Sequence, residues 1–238
     1  KTRLLLGVVT TVAAIVAVAL VLRFVPQRRS DPLAPMAAEV RRTVQAGTVW
    51  IRAAMAEGES EGSGFVSKSG YVFTNAHVVE GARSVRVVFD TGTPLVRSVA
   101  ARLVRVGHPG EADDVALLAV PTGSVKPLRL TDAGKLTEGT PLAAFGFPLG
   151  STVSTSEHGP QISIRSGTVT ALRRDNAGRV SWVESDILAE VGNSGGPVVT
   201  HQGEVVGLAT MLVGPNLRTA RIVPANYLRR FGPQAVAP

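Results

Sequence analysis

Gly192-Asn193-Ser194-Gly195-Gly196-Pro197 forms a tight, glycine-rich turn between the apolar run Asp186-Ile187-Leu188 and the strand-like run Pro197-Val198-Val199. A serine hydroxyl is a poor nucleophile at neutral pH. It reacts only when a neighbouring base takes its proton and nearby donors stabilise the resulting oxyanion. The glycines around Ser194 suit the second need, because they open backbone conformations closed to other residues and leave the N–H groups of Gly192 and Ser194 to point at one spot. Taken alone such a turn is an ordinary hairpin, so its meaning depends on partners elsewhere in the chain.

Outward from this turn the chain reads as short strands. Leu142 to Phe145, Gln161 to Leu172, Val180 to Val183, Val198 to Thr200 and Val205 to Val213 make a second series, behind a loop of turn formers from Pro121 to Gly139. A first series precedes it: Thr48 to Ala53, Gly64 to Ser67 and Tyr71 to Thr74 as a hairpin around Lys68-Ser69-Gly70, then Val85 to Phe89, Ala100 to Val106 and Val115 to Val120. Abundant Val, Gly, Thr and Ser with short apolar runs favours an all-β protein, and two antiparallel units joined by one linker imply two closed barrels or a sandwich. At 238 residues there is room for one large or two small domains.

The absence of cysteine removes any disulfide framework or thiolate metal site, and does not fix the compartment. Of the net charge of +7, residues 1–46 supply +5, from seven Lys/Arg and two acids, which leaves only +2 for the rest. A nucleic-acid partner, which would call for a basic face on the folded part, is therefore not expected. Leu4 to Leu22 is nineteen residues without a charge, flanked by Lys1, Arg3 and Arg23. That length spans a bilayer core as a helix. Ala17-Val18-Ala19 has the small-x-small form of a signal-peptide cleavage site, but Leu20-Val21-Leu22 continues the apolar run past it, which favours an anchor. The expected organisation is a membrane anchor over residues 1–25, a linker over 26–46 with a short helix from Met36 to Val44, and one domain over 47–238. Asn226 to Phe231 reads as a helix near its end.

Partners for Ser194 are present. Thr74-Asn75-Ala76-His77-Val78-Val79 sets a histidine just after an apolar strand, and Asp113-Asp114-Val115-Ala116-Leu117-Leu118 sets a carboxylate just before one. His77, Asp114 and Ser194 thus occur in the order of the chymotrypsin-type triad, with base and carboxylate on the first unit and nucleophile on the second. His108, His158 and His201 lack an adjoining motif and read as loop or surface residues, and no spacing among them argues for a metal. No cofactor is called for.

Glu61-Gly62-Ser63-Gly64-Phe65-Val66, the stretch Tyr71 to Val79, Asp114 to Leu118 and Gly192 to Pro197 closely resemble the HtrA/Deg family of trypsin-fold serine proteases. Phe145-Gly146-Phe147-Pro148-Leu149-Gly150 and Ser166-Gly167-Thr168-Val169-Thr170 are similar to that family's second barrel, and the resemblance covers about residues 47 to 230. It implies two six-stranded antiparallel β-barrels with the site in the cleft between them, and a membrane-tethered, extracytoplasmic serine endopeptidase acting on proteins or peptides, with a homotrimer among the family's assemblies. Carried over by position, Ser194 would be the nucleophile and His77 the general base. Asp114, preferred to Asp113 because it adjoins the Val-Ala-Leu-Leu strand, would orient the imidazole, and the N–H groups of Gly192 and Ser194 would form the oxyanion hole. Leu188, six before the serine, would floor the primary specificity pocket and favour small or medium apolar side chains at the cleavage point, while Asp186 would have a structural hydrogen-bonding role. The sequence departs from the family in two respects. The 44 residues after Ser194 are too few to hold a PDZ domain beyond the last strands, and Glu190-Val191 replaces the common Asn-Pro. The alternative expectation is a latent trypsin-fold module, a pseudoprotease with a collapsed oxyanion hole that binds at the membrane.

Overall fold

The computed structural model describes residues 36–68, 70–188, 190–211 and 219–232. The apolar stretch 4–22 lies outside the described residues, and among the described residues no helix is long and apolar enough to cross a membrane. The chain enters through helix α1 (Ala38–Gly47), whose Val44 and Gly47 are buried.

Six strands follow: β1 (Thr48–Ala54), β2 (Glu59–Lys68), β3 (Tyr71–Thr74), β4 (Ser84–Phe89), β5 (Arg97–Val106) and β6 (Ala116–Ala119), with a one-turn helix α2 (Ala76–Val79) after β3. They pair antiparallel in the order β1-β2-β3-β6-β5-β4 and close on themselves. The second barrel is β7 (Pro141–Gly146), β8 (Ser163–Arg174), β9 (Val180–Leu188), β10 (Pro197–Thr200), β11 (Val205–Met211) and β12 (Thr219–Pro224), closed in the order β7-β8-β9-β12-β11-β10. Both barrels therefore share one topology. Closure settles the choice between barrel and sandwich, and removes the free edges that an open sheet would have to protect. Helix α3 (Ala225–Phe231) follows.

Two differences from the sequence reading have clear causes. Strand β2 begins at Glu59, well before Gly64, because glycines that suggest a turn are here required by close packing: a Cβ on Gly62 would meet the Val78 side chain and the Ser194 carbonyl. Strand β12 has no counterpart in the reading. Its Arg221 interrupts an otherwise apolar Ala220 to Val223, and that side chain lies over the Trp182 ring 5.2 Å away.

The strands bury both faces where the barrels meet, which accounts for their near-continuous apolar runs. Val66 and Val72 point into the first barrel with Val49, Ile51, Val87 and Leu118, while Phe65 and Phe73 point outward into a second core. That core is shared. It joins Phe65, Phe73 and Leu117 of the first barrel to Phe145, Val199, Leu208 and Val223 of the second, with Val44 of α1 and Leu228 of α3. Phe65 and Phe73 are cross-strand partners with ring centroids 5.9 Å apart. Phe65→Ala should lower unfolding free energy by about 3–5 kcal/mol, as expected for a large core side chain truncated to alanine. Urea denaturation of the chain measures it, and a loss under about 1 kcal/mol would refute the seam as a principal source of stability.

Candidate active site

Register brings the first pair of site residues together. Thr74 at the end of β3 pairs with Ala116 at the start of β6, so the chain leaving β3 through Asn75 and His77 lies beside the chain entering β6 through Asp114. His77 Nδ1 is 2.6 Å from Asp114 Oδ2, and the His77 backbone N–H donates to Oδ1 at 3.0 Å. The Asn75 side-chain amide donates to the Asp114 carbonyl at 2.6 Å. Asp114 is fully buried. A buried carboxylate so surrounded acts as an acceptor, so Nδ1 carries the imidazole proton and Nε2 is left as the free basic nitrogen. Asp113 turns the other way. Its carboxylate lies 3.0 and 3.2 Å from His108 Nδ1.

The nucleophile turn sits against this pair from the second barrel. Ser194 is nearly buried, and among the described residues its hydroxyl makes no hydrogen bond to His77. The backbone N–H groups of Gly192 and Ser194 likewise donate to no described acceptor. Their direction has a physical cause. The Val191 carbonyl accepts from Leu149 N at 2.8 Å, and because the peptide is planar and trans, the Gly192 N–H faces the opposite way. Gly192 has φ +95°, and a side chain there would run into the Phe147 carbonyl. Leu149 is itself held in the left-handed region at φ 60°, a strain of about 1–3 kcal/mol. The turn that follows it, Gly150–Val153, is gripped from the first barrel: Ser151 N donates to Glu61 Oε2 at 2.8 Å.

Leu188 stands beside Ser194, lining with Ala144, Ile187, Glu190, Ala209 and Ala220 a cavity of about 10 Å³. That holds about one water. Glu190 also pairs with Arg165 at 3.0 Å, and Asp186 accepts from both the backbone N–H and the hydroxyl of Thr168. A far larger cavity of about 710 Å³ lies between α1 and the 123–126 loop, lined by Arg42, Asp90, Arg97 and Lys126. Neither His77 nor Ser194 lines it, so volume does not point to the residues that the sequence singles out. His108, Glu111 and Asp113 bring ligand atoms within 4.8 Å of one another at the surface, and the His108–Asp113 hydrogen bond accounts for the approach of two of the three. The site residues that sequence reasoning missed are Ser63, Glu61 and Glu190. The first two were inside a quoted motif, but nothing in one dimension shows that they reach the second barrel.

A model of the trypsin-like peptidase domain matches residues 62–208. The chain is 36% identical over 165 residues to a probable periplasmic serine endoprotease DegP-like of Halomonas elongata, an alignment covering 66% of this chain and 31% of that protein. It is 34% identical over 155 residues to the serine protease Do-like HtrA of Lactococcus lactis, covering 63% and 36%. The chain thus spans about a third of the length of the curated relatives it matches. Among solved structures it is similar to the HtrA-type protease AlgW with tripeptide (TM-score 0.67, 22% identity, 81% of this chain and 61% of that one). It is also similar to the Rv3671c protease from M. tuberculosis, active form (TM-score 0.66, 22% identity, 83% and 86%). These two likenesses concern the fold.

The His108–Asp113 contact gives a pH prediction. The Asp113 hydrogen bond, then its charge, raise the His108 pKa. A raised folded-state pKa adds stability that is complete below the ordinary histidine value and is lost as pH rises through the raised one. Asp113→Asn should lower the His108 midpoint in an NMR titration and leave the His77 resonances in place, whereas an unchanged His108 midpoint would contradict the contact.

Proposed function

The chain belongs to the trypsin-like peptidase family, and we propose that its two-barrel domain is a serine endopeptidase of HtrA type in which Ser194, His77 and Asp114 form the triad. The observation that carries this reading is the buried Asp114 carboxylate 2.6 Å from His77 Nδ1, set beside a serine turn whose two flanking amides are unspent. Ser194 Oγ attacks the scissile carbonyl carbon while His77 Nε2 takes the hydroxyl proton, and the carbonyl oxygen becomes an oxyanion facing the Gly192 and Ser194 N–H groups. Each such donor is worth about 2.7–4 kcal/mol in comparable sites. Collapse of the intermediate breaks the C–N bond, and His77 gives its proton to the leaving amine. Water then repeats the sequence on the acyl-enzyme, releasing the acid and restoring the Ser194 hydroxyl. Asp114 stays ionised throughout, holding the imidazole in one tautomer and stabilising its charged form.

A pocket with room for about one water, lined in part by a half-exposed Leu188, supports the small end of the apolar range at the cleavage point. The periplasmic relatives support an extracytoplasmic domain, and the uncharged stretch Leu4 to Leu22 supports a membrane tether for it. The rival reading, a latent trypsin-fold binding module, draws on one observation, the missing hydrogen bond from Ser194 Oγ to His77. Such bonds are often loose before substrate arrives.

A fluorophosphonate probe separates the two readings, since it needs an activated serine but no knowledge of the substrate. Labelling that disappears in Ser194→Ala is the expected result, and a folded chain that does not label at all would sink the enzyme reading. Asp114→Asn should cost roughly 10⁴ in kcat by presenting the wrong tautomer. A peptide library should show cleavage after Ala or similarly small residues, and a profile dominated by Lys or Arg would refute the pocket assignment.

A further inference from the structure

Ser63 is fully buried on β2 of the first barrel, yet three of its hydrogen bonds cross to the second. Its backbone N–H donates to the Ser194 carbonyl at 2.8 Å. Its hydroxyl donates to the Gly192 carbonyl at 2.7 Å and accepts from Phe147 N at 3.0 Å. Its own carbonyl accepts from the Thr74 hydroxyl at 2.7 Å, which ties it to the strand that leads to His77. Every polar group of this residue is therefore occupied, and two of its bonds end on the residues that carry the candidate oxyanion donors.

Gly192 has φ +95° and a Cβ there would collide with the Phe147 carbonyl, so the position requires glycine. The absence of that Cβ leaves the residue with more rotational freedom than any other. Rotation about Gly192 would swing its N–H away from the oxyanion position without breaking any covalent or packing constraint of its own. The restraint must come from its neighbours. Leu149 N holds the Val191 carbonyl on the near side of the glycine, and the Ser63 hydroxyl holds the Gly192 carbonyl on the far side. We propose that Ser63 is a positioning residue for the oxyanion hole: its hydroxyl holds the Gly192 carbonyl, in the peptide that follows the glycine, and so limits rotation about Gly192 and keeps the N–H of the preceding peptide facing the reacting carbonyl, from the barrel that also carries His77.

This inference rests on the endopeptidase reading, and the test keeps the two apart. Wild type, Ser63→Ala and Ser194→Ala full-length chains are compared for binding of a peptide boronate with alanine at the cleavage position, whose tetrahedral adduct uses the oxyanion hole. Steady-state kinetics on a peptide substrate of the same sequence are measured alongside. Because removing a whole donor costs about 10²–10³ in kcat, loosening one should weaken boronate affinity and lower kcat by about 10–100-fold. KM should stay within about twofold and the acid limb of the pH profile should not move, since the His77–Asp114 pair is untouched. Melting temperature is read in parallel, and if Ser63→Ala does not fold, Ser63→Cys, which keeps a weak S–H donor, reads the same ratio of boronate affinity to KM. Wild type that binds no boronate overturns the endopeptidase reading itself. Wild type that binds it, with a folded Ser63 variant that matches it in affinity and kcat, overturns the role given to Ser63 whatever happens to stability.

Discussion

The relative placement of the two barrels is the constraint on which everything else depends. His77 and Asp114 come from one barrel and the Ser194 turn from the other, and a displacement of about 1 Å in such a site is enough to cost two orders of magnitude in rate. Apolar burial alone would not hold the barrels that closely, since the hydrophobic effect is proportional to area and indifferent to direction. The seam combines two kinds of contact. Phe65, Phe73, Phe145, Leu208 and their neighbours supply the free energy. Hydrogen bonds from Ser63 to Ser194 and Gly192, and from Ser151 to Glu61, supply the registration. Buried bonds of this kind contribute only about 1 kcal/mol net each but cost more when broken, because an orphaned donor or acceptor keeps its desolvation penalty. Slippage along the seam is therefore resisted more steeply than the net value of those bonds would suggest.

The same asymmetry governs the nucleophile turn. A site that must present two backbone N–H groups to one point needs a conformation that most residues refuse, so it is built from glycine. It must also not relax, so the carbonyls on either side are tied down. Leu149, which occupies the left-handed region with a full side chain, shows where part of the cost is stored: its amide is the one that fixes the Val191 carbonyl. Strain in the loop and order in the turn are two ends of one hydrogen bond.

Much of this was legible in the sequence, for particular reasons. All six strands of the first barrel could be read because each carries a short apolar run, even β5, which has no buried residue, and Tyr71–Thr74 was read to the residue. Two features of β2 concealed its full length, since Gly62 and Gly64 carry the signature of a turn while meeting a packing demand that only three dimensions reveal. β12 was missed because Arg221 breaks its pattern and finds its stabilisation on Trp182, a residue of a neighbouring strand. At the site, the spacing of the two aspartates could not say which one meets His77, because adjacent residues point to opposite sides of the chain. The pairing of Thr74 with Ala116 decides the geometry, with Asp114 turned toward His77 and Asp113 toward His108. Ser63 and Glu61 sit 129 and 90 residues from the groups they bind, beyond the reach of any local pattern.

The surroundings of Leu188 mark the limit of such reading most clearly. Leu188 is one residue and gives a polarity, but the volume is set jointly by Ala144 on β7, Ala209 on β11 and Ala220 on β12, with Glu190 drawn to the wall by Arg165. A cavity of about 10 Å³ offers little apolar area, and burial is worth only about 0.8 kcal/mol per CH₂. The exposed apolar side chains of Leu149, Val153 and Val191 lie outside that lining. Leu149 and Val191 are also the two residues whose hydrogen bond turns the Gly192 N–H to the opposite side, so an exposed apolar rim and the order of the Ser194 turn share one backbone contact.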